Sequence, residues 1–181
     1  MPESSKTTLL ELSARYSVAG EKSVAQRYPD QTHFLLVLPE GSSPAPVVWT
    51  SSNPKLMEGN TSITKLSVKE SLKEYNVPTA VIQPIKKSDR NQHKAILVGR
   101  DEAADIRLNS RSVSKFHSAF QLINDKLEIK DLDSRNGTFI NEALFNDSIE
   151  LQSWTELKFA DVRTLYLTFK DLIDLVKLNN K

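Results

Sequence analysis

The sequence contains no cysteine among its 181 residues. This absence excludes a disulfide framework, zinc sites with thiolate ligands and a cysteine nucleophile. Long apolar runs are missing too, since none approaches the roughly 20 residues that a helix needs to cross a bilayer. The first six residues lack the basic stretch and the apolar core of a secretory signal. Together these absences predict a soluble, cytoplasmic protein without a membrane partner.

Signatures of the common enzyme classes are also scarce. The five glycines form no phosphate-binding loop of the strand–loop–helix type, and no Gly-x-Ser-x-Gly elbow occurs. The three histidines (His33, His93 and His117) do not have the spacing of a zinc site. Asp131 and Asp133 end a predicted strand, and we interpret them as exposed turn residues rather than as paired catalytic carboxylates. We therefore predict that the protein is not an enzyme and uses no metal or cofactor.

Charge is nearly balanced over the whole chain, with a formal net charge of +1. Locally, residues 86–115 carry eight Lys/Arg against four Asp/Glu, an excess of +4. An anionic ligand would suit this region, although such an excess is more often a solvated face. Aromatic residues do not interleave with these cations as they do in single-strand nucleic-acid sites. Nucleic acid is therefore not a predicted partner.

Residues 1–78 show a mixed α/β pattern. Thr8 and Glu11 have the spacing of a capping box, and Gly20 is placed to end the helix that starts there. The other predicted elements are a short helix over residues 21–28, strands over 33–38 and 47–49, and a capped helix over 68–76.

From Thr79 onward the pattern changes to short strands joined by Asn, Asp, Ser and Gly turns. This spacing is typical of a β-sandwich or barrel. The last strand alternates cleanly, with Leu165, Leu167 and Phe169 on one face. We predict strands over residues 80–85, 94–98, 105–108, 117–123, 127–132, 138–141, 148–151, 156–160 and 164–169, followed by a short amphipathic helix over 171–178.

Three short elements stand out in the strand-rich half. They are Val98-Gly99-Arg100, then Val113-Ser114-Lys115-Phe116-His117, and then the nine residues from Asp133 to Asn141. Each alone is common, as Asn-Gly is a frequent turn dipeptide. In this order, the pattern GR…SVSKFHSAF…DLDSRNGTFIN closely resembles the forkhead-associated (FHA) domain, over about residues 79–170. The resemblance implies a β-sandwich that binds phosphothreonine peptides through loops at one end.

The resemblance also implies roles for individual residues. Arg100 and Ser114 would contact the phosphate, Lys115 would add positive charge, and Asn136 would hold the peptide backbone. Arg135 could face the ligand or only solvent. Support of the site is implied for Gly99, His117, Gly137 and Thr138. Ser112 lies where some family members carry a further phosphate-facing arginine.

The physical chemistry of these side chains agrees with that assignment. A guanidinium is a planar fork that can hold two phosphate oxygens, a serine hydroxyl can donate to a third, and an asparagine amide both donates and accepts. Glycine permits backbone shapes and close approaches that a side chain would obstruct.

The sequence thus predicts a mainly β protein: an FHA-type β-sandwich with an α/β N-terminal extension and a short C-terminal helix. The predicted division is residues 1–78, 79–170 and 171–181, with the role of the first part open. The predicted function is a non-catalytic signalling adaptor that binds a phosphothreonine-containing protein. The alternative is an FHA-fold scaffolding protein that binds its partner independently of phosphate. An Arg100 buried in a salt bridge would favour that alternative.

Overall fold

A computed structural model describes residues 6–41, 77–89 and 91–180. Within these ranges the fold is mainly β, with two sheets and a layer of helices. The predicted strand over residues 47–49 and the predicted helix over 68–76 lie outside the described residues.

Two helices follow the short strand β1 (Thr7–Thr8) at the N-terminal side of the described chain. Helix α1 (Leu9–Ala19) begins at the predicted capping box, in which the Thr8 side chain accepts from the Glu11 N–H and the Glu11 side chain accepts from the Thr8 N–H. It ends at Gly20, whose φ of 63° suits glycine. Helix α2 (Glu21–Arg27) follows at once. These predicted helices are confirmed.

The strands of the described chain form one sheet of seven and one of five. The larger has the order β1-β3-β2-β12-β11-β8-β9 and the smaller β10-β7-β6-β4-β5; all pairs are antiparallel except β4–β5. The strand bounds are β2 His33–Val37, β3 Val81–Pro84, β4 Ile96–Gly99, β5 Ile106–Arg107, β6 Ser118–Ile123, β7 Lys126–Asp131, β8 Thr138–Ile140, β9 Ala143–Leu144, β10 Ile149–Glu150, β11 Glu156–Phe159 and β12 Val162–Thr168.

All nine strands predicted after residue 79 are present, with ends that differ from the prediction by at most two residues. Strand β9 was not predicted, because its two residues are both exposed and leave no alternating pattern. Phe169 is a correction: it is not the last strand residue but the first residue of helix α3 (Phe169–Asn179). The helix begins there because the Thr168 hydroxyl accepts from the Asp171 N–H and caps its first turn.

Two hydrophobic cores lie on opposite faces of the seven-stranded sheet. One core lies between this sheet and the helices and includes Phe34, Leu165 and Leu167, together with Leu12 of α1 and Leu172, Leu175 and Val176 of α3. The other lies between the two sheets and includes Leu35, Tyr166, Phe120, Ile129, Leu157 and Phe159. Alternate residues of β2 and β12 therefore enter different cores, as the two-residue period of a strand requires. The continuous apolar run of β2 reflects burial on both faces.

Strand β2 lies between β3 and β12, and β1 lies at the sheet edge beside β3. The seven-stranded sheet thus draws on both sides of the boundary that we placed between residues 78 and 79. That boundary and the one at residue 170 stay predictions. None of the described helices is long and apolar enough to span a bilayer.

Candidate functional site

Three loops that carry the motif residues meet beside the five-stranded sheet. The first follows β4 and starts at Arg100, the second leads into β6 and contains Ser114, and the third joins β7 to β8 and contains Arg135. The Arg100 N–H donates to the Ser114 carbonyl at 3.0 Å, and the Arg135 N–H donates to Ser114 Oγ at 3.0 Å. Ser114 is therefore the residue through which the other two loops are joined.

The side chains of the predicted phosphopeptide contacts reach solvent. Arg100, Lys115, Arg135 and Asn136 are exposed, and Ser114 is half-buried. Within residues 6–41, 77–89 and 91–180, none of the three cations takes part in a salt bridge. The site therefore presents positive charges without a salt-bridge partner among the described residues, a favourable setting for an anion.

Unused hydrogen-bond donors, like the positive charge, favour an anionic ligand. Ser114 Oγ accepts from Arg135, and its own hydrogen donates to no residue in the described part of the chain. The backbone N–H of Lys115 is likewise without an acceptor among the described residues, whereas the Lys115 carbonyl accepts from the Asp101 N–H at 3.2 Å. A hydroxyl and an N–H from adjacent residues can therefore serve one bound oxyanion.

Asn136 is held in place by one of its own amide hydrogens. Its Nδ2 donates to the carbonyl of Ser112 at 2.7 Å. This bond leaves the second N–H and the Oδ1 acceptor, which are the two groups needed to pair with a peptide backbone.

His117 lies below the loops and connects two of them. It is fully buried; Nδ1 accepts from the Ser114 N–H at 3.0 Å, and Nε2–H donates to the Gly137 carbonyl at 3.1 Å. Its ring meets Phe159 edge-on, with centroids 5.9 Å apart. Because Nδ1 accepts a hydrogen bond, the imidazole is neutral and carries its proton on Nε2. Burial lowers the pKa of His117, an effect that the bond to Gly137 only partly offsets.

The lowered pKa of His117 predicts how the stability of the fold depends on pH. The unfolded imidazole gains a proton near its ordinary pKa of about 6.5, whereas the folded one resists protonation until lower pH. Stability present above pH of about 6.5 is therefore lost as the pH falls toward the folded value. Burial lowers the pKa of His33 as well, so both histidines act in the same direction. We expect urea unfolding to show a falling free energy between pH 7.5 and 5.

Histidine variants test the origin of that slope. His117→Asn should be less stable at pH 7.5 but should lose less stability on acidification, and adding His33→Asn should flatten the profile further. An unchanged slope in His117→Asn would contradict the assignment of a neutral, buried imidazole.

Thr138 belongs to a buried cluster of hydroxyls around Asp131. Thr138 is fully buried and donates to Asp131 Oδ1, and its hydroxyl also contacts Ser118 Oγ at 2.7 Å. The same carboxylate accepts from the N–H of Ser134 at 2.8 Å and from its hydroxyl at 2.7 Å. The interpretation of Asp131 as an exposed turn residue was wrong, while Asp133 is indeed exposed.

Asp131 works as an anchor for the loop that carries Arg135 and Asn136. Burial by itself would raise the pKa of Asp131, but the hydrogen bonds from Thr138 and Ser134 outweigh it and hold the pKa below its usual value. A signal for this role was available in the sequence, because aspartate often bonds the backbone two or three residues ahead of it in turns.

The two motif glycines meet different constraints. A Cβ on Gly99 would lie 1.9 Å from the Lys115 carbonyl oxygen, so the two loops approach too closely for any side chain. Gly137 has a φ of 76°, and a Cβ there would lie 2.6 Å from Leu144 Cδ1. Glycine is required at position 99 because another backbone segment approaches closely, and at position 137 because the backbone adopts a positive φ.

Ser112 differs from the arrangement that the resemblance suggested for some family members. Its hydroxyl bonds Asp161 Oδ1 rather than facing the cluster of cations. Among the described residues, no group of three or more His, Asp or Glu side chains is arranged to hold a metal ion.

Comparison with known proteins finds a family match over part of the chain. Residues 96–160 match the family model of the FHA domain. Two curated relatives are the glycogen accumulation regulator GarA of Mycobacterium tuberculosis, 34% identical over 70 residues (39% of this chain and 43% of the relative), and the oxoglutarate dehydrogenase inhibitor of Corynebacterium efficiens, 32% identical over 69 residues (38% and 48%). The chain spans less than half the length of these relatives.

Solved FHA domains are similar at lower identity. One is the FHA domain of the CT664 protein from Chlamydia trachomatis, 18% identical, with a TM-score of 0.46 over 75% of this chain and 96% of that one. The matched residues 96–160 include Gly99, Arg100, Ser114, His117 and Asn136, the positions on which the sequence motif rests. What the comparisons show is thus an FHA domain match over residues 96–160 of this chain.

Proposed function

We propose that the chain binds phosphothreonine on partner proteins and acts as a non-catalytic adaptor. The observation that carries the proposal is the exposed guanidinium of Arg100, which forms no salt bridge with any described residue and whose backbone is fixed to Ser114. An Arg100 buried in a salt bridge would instead have favoured the scaffolding alternative.

The proposed contacts divide into two groups. Arg100, the Ser114 hydroxyl and the Lys115 N–H bind the phosphate, with the charges of Lys115 and Arg135 nearby. A phosphothreonine carries about −1.5 to −2 charges at pH 7, so these donors make charge-assisted hydrogen bonds. Asn136 holds the peptide main chain through its remaining N–H and Oδ1. Gly99, His117, Gly137 and Thr138 support these groups from behind.

The number of contacts sets the expected affinity. Hydrogen bonds to charged groups contribute roughly 1.5–3 kcal/mol each, and ordering a flexible peptide opposes them. Three or four such bonds correspond to dissociation constants in the micromolar range, near −8 kcal/mol. Reversible regulation is consistent with this range. The names of the two relatives, a regulator and an inhibitor, favour a regulatory role over catalysis, and we extend to this chain a cytoplasmic location and a protein rather than a nucleic-acid partner.

The proposal predicts a phosphate-dependent affinity that Arg100 controls. A phosphothreonine peptide library should yield binders, and Arg100→Ala should weaken binding of the best peptide by at least about tenfold, since it removes a charged contact. Arg100→Lys should restore only part of the affinity, because an ammonium cannot bind two oxygens as a fork. Fluorescence anisotropy with paired phosphorylated and unphosphorylated peptides measures both effects.

Arg15→Ala is the matched control, since it removes the same charge from an exposed position on α1. It should bind like the unaltered protein. Equal binding of phosphorylated and unphosphorylated peptides would reject the proposal in favour of the scaffolding alternative.

A further inference from the structure

Asp161 lies in the two-residue turn between β11 and β12, outside the three motif loops. The turn belongs to the seven-stranded sheet, whereas Arg100 and Ser114 flank strands of the five-stranded sheet. Nevertheless the turn reaches the site, because the Ala160 N–H donates to the Gly137 carbonyl at 3.0 Å. The same carbonyl accepts from His117.

The Asp161 carboxylate connects this turn to the loop between β5 and β6, which contains Ser110 and Ser112. Oδ1 accepts from the Ser110 hydroxyl at 3.0 Å and also bonds the Ser112 hydroxyl. The two hydroxyls contact each other at 2.8 Å. One carboxylate oxygen thereby fixes two residues of an otherwise irregular segment.

Ser112 is the residue whose carbonyl accepts from Asn136 Nδ2. A continuous series of hydrogen bonds thus runs from Asp161 through the Ser112 side chain and backbone to the Asn136 amide. Since the amide has two N–H groups and one oxygen, the bond to Ser112 determines which way its free N–H and oxygen point.

We propose that Asp161 is a positioning residue for peptide binding: through Ser110 and Ser112 it sets the orientation of the Asn136 amide. This inference rests on the proposed function, because its consequence is the readiness of Asn136 to pair with a peptide backbone. A carboxylate that only packed the turn would need no bond to Ser112. Preorganised polar groups bind more tightly because less freedom is lost on binding.

The charge of Asp161 makes the two possible effects of its replacement on affinity opposite in direction. Asp161 is an anion close to a site for a dianion, so electrostatics alone predicts tighter phosphopeptide binding when it is neutralised. Positioning predicts weaker binding. Asp161→Asn keeps the shape of the side chain and separates the two effects.

Binding measurements form the first test. Asp161→Asn and the charge-neutral Ser112→Ala should each weaken phosphothreonine-peptide binding about fivefold, the effect of one ordinary hydrogen bond. Asp147→Asn, which makes the same change at an exposed position in the β9–β10 loop, should bind normally. Unchanged or tighter binding by Asp161→Asn would overturn the inference.

A double-mutant cycle tests whether Asp161 acts through Asn136. In an Asn136→Ala background, Asp161→Asn should change the dissociation constant by less than about twofold, because coupled residues are not additive. A full fivefold loss in that background would show an independent role and reject the inference. Thermal unfolding of every variant checks the fold.

A measurement without peptide separates this inference from the proposed function. In nitrogen-15 NMR spectra of the free protein, the Asn136 side-chain amide signals should shift and exchange faster in Asp161→Asn and in Ser112→Ala. If they change while no phosphopeptide binds the unaltered protein, the positioning holds and the proposed function fails. If they stay unchanged, the positioning fails whatever the protein binds.

Discussion

Replacing Gly99 with alanine is expected to abolish phosphopeptide binding and to lower the free energy of unfolding by about 3 kcal/mol or more, at the upper end for overpacked sites. The added methyl would lie 1.9 Å from the Lys115 carbonyl oxygen, 2.7 Å from its carbonyl carbon and 3.1 Å from Phe116 Cα. All three are backbone atoms, so no side-chain rotation can relieve the overlap.

The overlap must separate the two segments that form the site. On either side of Gly99, the His117 N–H donates to the Val98 carbonyl at 2.7 Å and the Arg100 N–H donates to the Ser114 carbonyl. Moving these segments apart breaks such bonds and displaces Arg100 from Ser114, so affinity should fall together with stability.

Gly41→Ala supplies the matched control. A Cβ on Gly41 would meet no atom of the described residues within 4 Å, although its φ of 79° disfavours alanine. Its cost should be about 1 kcal/mol from backbone conformation alone, with binding retained. Urea unfolding measures the stability of both variants, and fluorescence anisotropy measures their peptide affinity. Similar losses of stability and of binding in the two variants would contradict close approach as the reason for glycine at position 99.

Asp131→Asn is expected to have the second-largest effect, a loss of about 3 kcal/mol from removing charged hydrogen bonds. Asparagine keeps one acceptor oxygen for the three donors that meet this carboxylate, which come from Thr138 and Ser134. Its NH₂ group would also face at least one of those donors. Because Thr138 is fully buried, water cannot replace the lost partner there.

Asp133→Asn makes the same chemical change two residues away on an exposed side chain, and asparagine suits the φ of 53° at that position. It should alter stability by less than about 0.5 kcal/mol. The difference between the variants should also shrink below pH of about 4, since the stabilisation by the lowered pKa of Asp131 is lost as the carboxylate becomes protonated. Equal effects of the two substitutions in chemical denaturation would refute the anchoring role of Asp131.

Local patterns predicted much of this architecture. The capping box at Thr8 and Glu11 depends on residues three apart, and the strand alternation of β12 depends on residues two apart, so both are readable along the chain. The motif around Arg100, Ser114 and Asn136 was recognised for another reason. Its resemblance to a known family implies that these distant loops lie together, which no local pattern indicates.

Interactions between distant segments escaped sequence reasoning. The place of β2 in the sheet depends on pairing His33–Val37 with residues 164–168, and alternation does not reveal the partner of a strand. Asp161 bonds residues about 50 positions earlier, Ser110 and Ser112, and no spacing rule links them. Asp131 is a different case, since its partners Ser134 and Thr138 are close in sequence. It was interpreted wrongly because a carboxylate at a strand end is usually solvated.

Because the β12 side chains divide between two cores, we expect the helical layer and the proposed peptide site to unfold as one cooperative unit. Leu165 and Leu167 cannot leave the helices without disturbing Tyr166, which packs between the sheets. A ligand that binds only the native state raises the stability of everything that unfolds with its site. Binding of a phosphopeptide to the loops should therefore slow the hydrogen exchange of the backbone amides in α1 and α3. These helices lie on the face of the sheet opposite the proposed site.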